Sequence, residues 1–240
     1  KKLGISEEEA ARMSRSLQLV LDAAAQAVED AGYRGDKTLP SDKTAVIIAS
    51  CLTNEMNSDL QLKYFYPEIL SMLEDLDEYK SLPEPEKELL RDTLKNGLTQ
   101  GHQGDIADQA SIHMEAEGVA SYFGTKGINC TVDAACASSL AALEAGRREL
   151  LSGAHDVAII GGVNTNLSVE SFVGFCKMGA LSADGSFPFD ERAGGFVLGE
   201  GAGVVVIKRM KDALRDGDKI LGVLKGIGSS SDGRGKAIAA

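Results

Sequence analysis

No stretch of this sequence approaches the roughly 20 consecutive apolar residues needed to cross a bilayer, so a membrane-spanning helix is not expected. No cluster of lysine or arginine stands out either, and the formal net charge is −11. Both features argue against nucleic acid and anionic membrane surfaces as partners. The first residues, Lys1-Lys2-Leu3-Gly4-Ile5, run into an acidic helix start rather than a secretory signal, so a cytoplasmic location is expected. Cysteines stand only at 51, 130, 136 and 176, with no Cys-x-x-Cys pair, and read as reduced thiols. Histidine is scarce too: His102, His113 and His155 do not pair with the cysteines at zinc-binding spacings, so no metal site is expected. Internal repeats and low-complexity tracts are absent.

What is present is an α/β rhythm, in a chain long enough to be one domain. Ser6-Glu7-Glu8-Glu9 is a capping box. It opens a helix in which Met13, Leu17, Val20, Leu21, Ala24 and Val28 recur at three- and four-residue steps, up to a stop at Gly32. The core of the run Lys43–Ser50, Ala45-Val46-Ile47-Ile48-Ala49, is apolar without alternation, which predicts a strand buried on both faces of a parallel sheet. From about 52 to 101 the rhythm breaks into an inserted helical excursion, divided at Leu82-Pro83-Glu84-Pro85. Its cluster Tyr64-Phe65-Tyr66 is expected to form a local satellite core.

A helix around Ile106 to Phe123, stopping at Gly124, leads back to alternating elements. These are a strand at Asn129–Asp133, a helix at Ala137–Leu151, a strand at Asp156–Val163 and a helical patch near Val169–Met178. A strand at Gly203–Arg209, a short helix ending near Gly217 and a strand at Ile220–Ile227 complete the series. The fold class is α/β with a mainly parallel sheet between helices.

The chemistry concentrates where the second strand meets its helix, at Asp133-Ala134-Ala135-Cys136-Ala137-Ser138-Ser139. Small residues allow a sharp turn there and a close approach by a substrate carbonyl. The N–H groups and positive dipole end of a helix N-terminus favour a thiolate, and a thiolate is a nucleophile. Residue type and spacing alone leave Cys136 either a nucleophile or a small buried hydrophobe, the reading given to Cys51, Cys130 and Cys176. His113 and His155 read as structural, and Asp105, Asp133 and Glu200 as isolated acids. The run Gly194–Gly203 is glycine-rich but lacks the Lys-Ser/Thr ending of a phosphate loop and feeds a strand, so tight backbone packing is its expected role.

Val132-Asp133-Ala134-Ala135-Cys136-Ala137-Ser138-Ser139-Leu140 resembles the active-site signature of β-ketoacyl synthases, the condensing enzymes of fatty acid and polyketide synthesis. Gly179-Ala180-Leu181-Ser182, Pro188-Phe189-Asp190, Gly195–Gly203 and Ser230-Ser231-Asp232-Gly233 agree in order and spacing, and the wording is closest to type I polyketide or polyunsaturated-fatty-acid ketosynthases. The resemblance implies a thiolase-like layered fold. It implies that Cys136 accepts an acyl group as a thioester from the phosphopantetheine of an acyl carrier protein, with no cofactor bound to the chain itself. A malonyl-type extender would then decarboxylate and attack that thioester. The backbone N–H of Cys136 would serve the oxyanion hole, Phe175 would line the acyl pocket, and the segment around Ile128–Val132 would pair across a homodimer axis. Arg147, Arg148 and the Lys208-Arg209-Lys211 group are the candidate basic contacts for an acidic carrier.

The family also carries two histidines, in His-Gly-Thr and Asn-x-Gly-His contexts, which none of the three histidines here matches. The opening strand and glycine-rich turn of the family are not seen either. Residues 1–240 are therefore expected to be roughly the N-terminal half of a ketosynthase domain with a helical insertion, completed by the rest of the domain or megasynthase. On this expectation the 240 residues alone do not condense. Two other readings stay open: a noncatalytic dimerising half-domain, and a thiolase-like enzyme acting on coenzyme A thioesters.

Overall fold

A computed structural model of the chain describes residues 3–51, 55–99, 113–231 and 233. Four strands form one sheet in the order β2-β1-β3-β4, where β1 is Thr44–Ala49, β2 Asn129–Val132, β3 Val157–Asn164 and β4 Gly201–Lys208. β1 runs parallel to both neighbours, with Val46 opposite Asn129 on one side and Ile159 on the other; β4 returns antiparallel to β3. All six residues of β1 are buried, as an unbroken apolar run requires when helices cover both faces.

Successive side chains of a strand point to opposite faces, and β1 divides accordingly. Val46 and Ile48 join Ile159 and Val163 beneath α2 (Arg15–Asp30) and α6 (Met114–Phe123), against Leu17, Val20, Leu21, Ala24, Val119 and Ala120. Ala45, Ile47 and Ala49 join Ala158 and Ile160 beneath α7 (Ser138–Ser152), against Ala142 and Leu150. The short helices α8 (Val169–Lys177) and α9 (Met210–Arg215) follow β3 and β4.

Three expectations change. The first helix is two: α1 (Glu7–Arg12) keeps its Ser6–Glu9 capping box, but Met13 and Ser14 are extended, and the Ser14 hydroxyl accepts the Leu17 N–H to start α2. A serine hydroxyl offers the backbone an alternative to continuing the helix, and here that alternative wins. Residues Ile220–Ile227 form no strand; Ile220, Leu221, Val223 and Leu224 are exposed, because no described strand lies alongside to supply a ladder.

The excursion is helical as expected, with α3 (Glu55–Asp75), the single turn α4 (Asp77–Lys80) and α5 (Glu84–Thr99). Its aromatic satellite core is not there: Tyr64 and Phe65 are exposed, and the buried aromatic is Tyr79, with Lys87 and Arg91 over its ring. Consecutive helical positions point in widely different directions, so one partner helix cannot cover a run of adjacent aromatics.

Candidate active site at the strand-to-helix corner

β2 ends at Val132, and the chain turns through Asp133 and Ala134 into a single 3₁₀ turn, Ala135–Ala137, that leads directly into α7. Cys136 is the middle residue of that turn, and its side chain is exposed. The corner expected from the sequence is there, but its geometry is sharper than a plain turn. Ala135 has φ of +50°, a left-handed conformation that a residue with a Cβ adopts only under constraint.

Three hydrogen bonds supply the constraint. The Ala134 N–H donates to Ser138 Oγ at 2.8 Å, Ser138 Oγ donates to the Ala135 carbonyl at 2.5 Å, and the Ala135 N–H donates to Asp133 Oδ1 at 2.9 Å. No side chain caps the N-terminus of α7, and its first turn holds no acidic residue. Glycines set how closely α7 lies on the sheet. A Cβ on Gly146 would fall 2.2 Å from Ile160 Cδ1, and one on Gly162 would fall 2.3 Å from Ser139 Oγ.

The C-terminal ends of the parallel strands β1, β2 and β3 lie at the same end of the sheet. The Ser50 N–H donates to the Val132 carbonyl at 3.2 Å. Asn166 Nδ2 donates to the Cys51 carbonyl at 3.0 Å and to Asn164 Oδ1 at 2.8 Å, and Asn164 Nδ2 donates to the Gly199 carbonyl at 3.0 Å. These amides tie together the loop after β1, the loop after β3 and the glycine-rich segment. Sequence reasoning missed them, although an Asn-x-Asn pair ending an apolar strand was a readable signal. Burial pushes the Cys51 thiol up, and the nearby Asp133 and Cys136 push the same way. Burial likewise pushes the Cys130 thiol up, with a further contribution from Glu149. Cys176 departs from its expected burial. It is exposed, because α8 buries none of its residues.

Phe175 lies on α8, half-buried, with its ring 5.2 Å from that of Phe196 at an interplanar angle of 77°. The Phe196 N–H donates to the Ala180 carbonyl, and the Ser182 N–H to the Phe196 carbonyl, both at 3.0 Å. A Cβ on Gly195 (φ +139°) would fall 2.8 Å from that same Ala180 carbonyl, so the close approach requires glycine. The expected tight packing of the glycine-rich run holds at Gly195 only; a Cβ on Gly199, Gly201 or Gly203 would meet nothing within 4 Å, and the run feeds β4 directly. Glu200 leaves its isolation: both carboxylate oxygens accept from the Arg15 guanidinium, which holds the carboxyl below its ordinary range.

His155 has a structural place. Its Nε2 accepts the Ile128 N–H at 3.1 Å while Nδ1 meets Glu149 Oε2 at 2.8 Å, so the ring links the start of β2 to the last turns of α7. His113 precedes α6. His102, Asp105 and Asp232 lie outside the described residues, and among those described no His, Cys, Asp or Glu cluster suits a metal ion. No described helix is long and apolar enough to cross a membrane.

The basic candidates for carrier docking are largely committed internally. Arg147 and Arg148 both bind Glu144, whose carboxyl is held down at about 2 by those hydrogen bonds. Lys208 lies between Asp216 and Asp218, and Arg209 binds Asp156, Asp212 and the carbonyls of Leu150 and His155. Of this set, Lys211 alone is exposed and makes no ion pair among the described residues.

Comparison with known proteins places these features in a family context. Residues 2–213 match the model of the β-ketoacyl synthase N-terminal domain. A cluster 41 polyketide synthase of Aspergillus flavus is 37% identical over 237 residues, which cover 98% of this chain and 18% of that protein. The mellein synthase of Phaeosphaeria nodorum is 35% identical over 238 residues, 99% of this chain and 11% of that one. Among solved structures, the ketosynthase from module 6 of the bacillaene synthase of Bacillus subtilis 168 superposes with a TM-score of 0.62 at 30% identity, covering 91% of this chain and 31% of its own. The module 1 ketosynthase of the bacillaene synthase of Bacillus amyloliquefaciens FZB42 gives 0.64 at 27% identity, covering 98% and 34%. The chain thus spans about a third of the ketosynthase chains it resembles and less than a fifth of these curated relatives.

Proposed function

The chain belongs to the β-ketoacyl synthase family, and from that membership we propose that it carries the acyl-accepting half of a ketosynthase site, with Cys136 as nucleophile. The observation that carries this reading is the exposed cysteine on a constrained turn at the uncapped N-terminus of α7. The Cys136 sulfur attacks the carbonyl of an acyl thioester presented on the phosphopantetheine arm of an acyl carrier protein. The C–S bond to the carrier breaks, the carrier leaves as a thiol, and the acyl group stays on Cys136. The backbone N–H of Cys136 donates to the developing oxyanion, where one such donor is worth about 3–4 kcal/mol.

A malonyl-type extender then loses CO2, and the resulting carbanion attacks the acyl-Cys136 carbonyl, returning the thiolate and giving a β-ketoacyl thioester. This second half draws on the two family histidines, which we assign to the rest of the ketosynthase domain as the partner that completes the site. Phe175, set edge-to-face against Phe196, lines the acyl pocket in this reading. Phe172 and Val173 on α8, and Leu221 and Val223 after α9, are exposed apolar side chains that the completing half would cover. β2 closes one edge of the described sheet, and there a second copy pairs to make a homodimer.

The test is acyl transfer followed by peptide mapping. Incubation with an acyl phosphopantetheine thioester should add one acyl group to Cys136, and none in Cys136→Ala. An adduct on another residue, or no adduct on the folded chain, overturns the assignment. With a malonyl thioester added, the 240 residues alone should form no β-ketoacyl product; forming one would show that the family histidines are dispensable.

A further inference from the structure

We infer that Ser138 is a positioning residue for the Cys136 nucleophile, acting by holding Ala135 in its left-handed conformation. The inference rests on the reading of Cys136 as the acyl acceptor. Ser138 is 5% exposed, and its hydroxyl makes two hydrogen bonds, one in each role. It accepts from the Ala134 N–H and donates to the Ala135 carbonyl, so the two residues with irregular backbone are pinned from both ends. Ala134 sits at φ −136°, ψ 36° and Ala135 at φ +50°.

A serine hydroxyl that accepts from a helix's own first N–H groups ordinarily does so from the N-cap position, which Ala137 holds here. Ser138 turns the other way, towards the residues before Cys136, and no side chain caps α7. The Ser138 hydroxyl fixes the turn that carries Cys136, while Ala137, at the cap position, offers the first N–H groups of α7 no side-chain acceptor. Asp133 adds a third bond, to the Ala135 N–H, but from an exposed carboxylate that water can replace. Ser138 is the buried anchor. Only a side chain that both donates and accepts fits the position, which excludes alanine and valine.

The test is a double-mutant cycle read on thiol reactivity in the whole 240-residue chain. The measured quantity is the iodoacetamide alkylation rate of Cys136 relative to Cys176, which is also exposed but lies on α8. Ser138→Ala is expected to lower that ratio about tenfold, with the circular dichroism spectrum unchanged. In the Ala135→Gly background, where glycine accepts a positive φ without help, Ser138→Ala is expected to lower it by less than about threefold. Ser138→Thr, which keeps the hydroxyl, should restore the ratio to within about twofold of the parent.

An unchanged ratio in Ser138→Ala, or an equal loss in both backgrounds, overturns the inference. If Ser138→Ala alone fails to fold, the Ala135→Gly/Ser138→Ala chain carries the test, since relief of strain should restore both fold and reactivity; an unfolded double variant overturns the inference as well. Failure of the acyl-acceptor reading is separable. In that case Cys136 takes no acyl group from a thioester, yet its alkylation still follows the cycle.

Discussion

At the scale of single residues, His155 is a structural pin. Its two nitrogens serve the Ile128 backbone and the Glu149 carboxylate, and Gly127 lies so close that a Cβ there would sit 2.8 Å from the imidazole. Replacing His155 with phenylalanine leaves the partly buried Ile128 N–H without its acceptor and should cost about 1–3 kcal/mol in urea denaturation. The thiols separate in the same way. Burial raises Cys51 and Cys130, whereas Cys136 and Cys176 are exposed, so stoichiometric iodoacetamide at neutral pH should modify the last two first. Peptide mapping that finds Cys51 or Cys130 labelled ahead of Cys136 would contradict the burial shown by the fold. The place of Cys136 at a strand-to-helix corner was legible in the sequence because its small neighbours and the strand-to-helix transition both leave marks in residue type. The role of Ser138 was not, since residue type does not say which backbone groups a hydroxyl bonds. The conformation of Ala135 has no compositional signal at all.

At the scale of elements, the height of α7 above the sheet decides where the corner sits. Gly146 faces Ile160, which is 2% exposed, and a Cβ there would meet the Ile160 side chain at 2.2 and 2.9 Å. Gly146→Ala should therefore destabilise the fold by about 1–3 kcal/mol, because the buried isoleucine has little room to move. A calorimetric Tm equal to the parent's would mean that the helix lifts without resistance.

The junction of β4 and α9 gives a pH dependence. The hydrogen bond from Arg209 holds the Asp156 carboxyl below its ordinary range. A depressed carboxylate pKa in the folded state stabilises fully above the unfolded value of about 3.9 and loses that contribution as pH falls through the folded value. Asp156→Asn should thus be less stable than the parent near neutral pH, with the difference vanishing in strong acid. Strands and helices of the α/β rhythm were readable as periodic patterns. The break at Ser14 was not, because it depends on a hydroxyl winning a competition that the apolar period does not register.

At the scale of the whole molecule, the four described strands end at β2 on one side. The bonds Val46 N–H to Ile128 and Ser50 N–H to Val132 turn the even positions of β2 towards β1, so the backbone of Asn129 faces outwards. If a second copy pairs at this edge, Asn129→Pro should leave the fold intact and shift sedimentation from dimer to monomer. A dimer that survives the change would place the interface elsewhere. That β1 belongs to a mainly parallel sheet followed from its unbroken apolar run, whereas the strand order did not, and neither did the fate of Ile220–Ile227. Whether an apolar segment becomes a strand depends on a neighbour, and a neighbour is not a property of the segment.

The position of β1 carries a cost in time. This strand is wholly buried and bonded on both edges, yet its partners begin only at Asn129 and Val157. At roughly 5–20 residues per second of synthesis, β1 leaves the ribosome several seconds before the first partner strand exists. Through that interval Thr44-Ala45-Val46-Ile47-Ile48-Ala49 is an unpaired, uncharged, β-prone hexapeptide, the kind of segment that nucleates cross-β association. The helices that follow it then delay the closure of the sheet. The centre of the finished molecule is the most vulnerable part of the nascent one, and the window for misassembly is set by the length of the excursion.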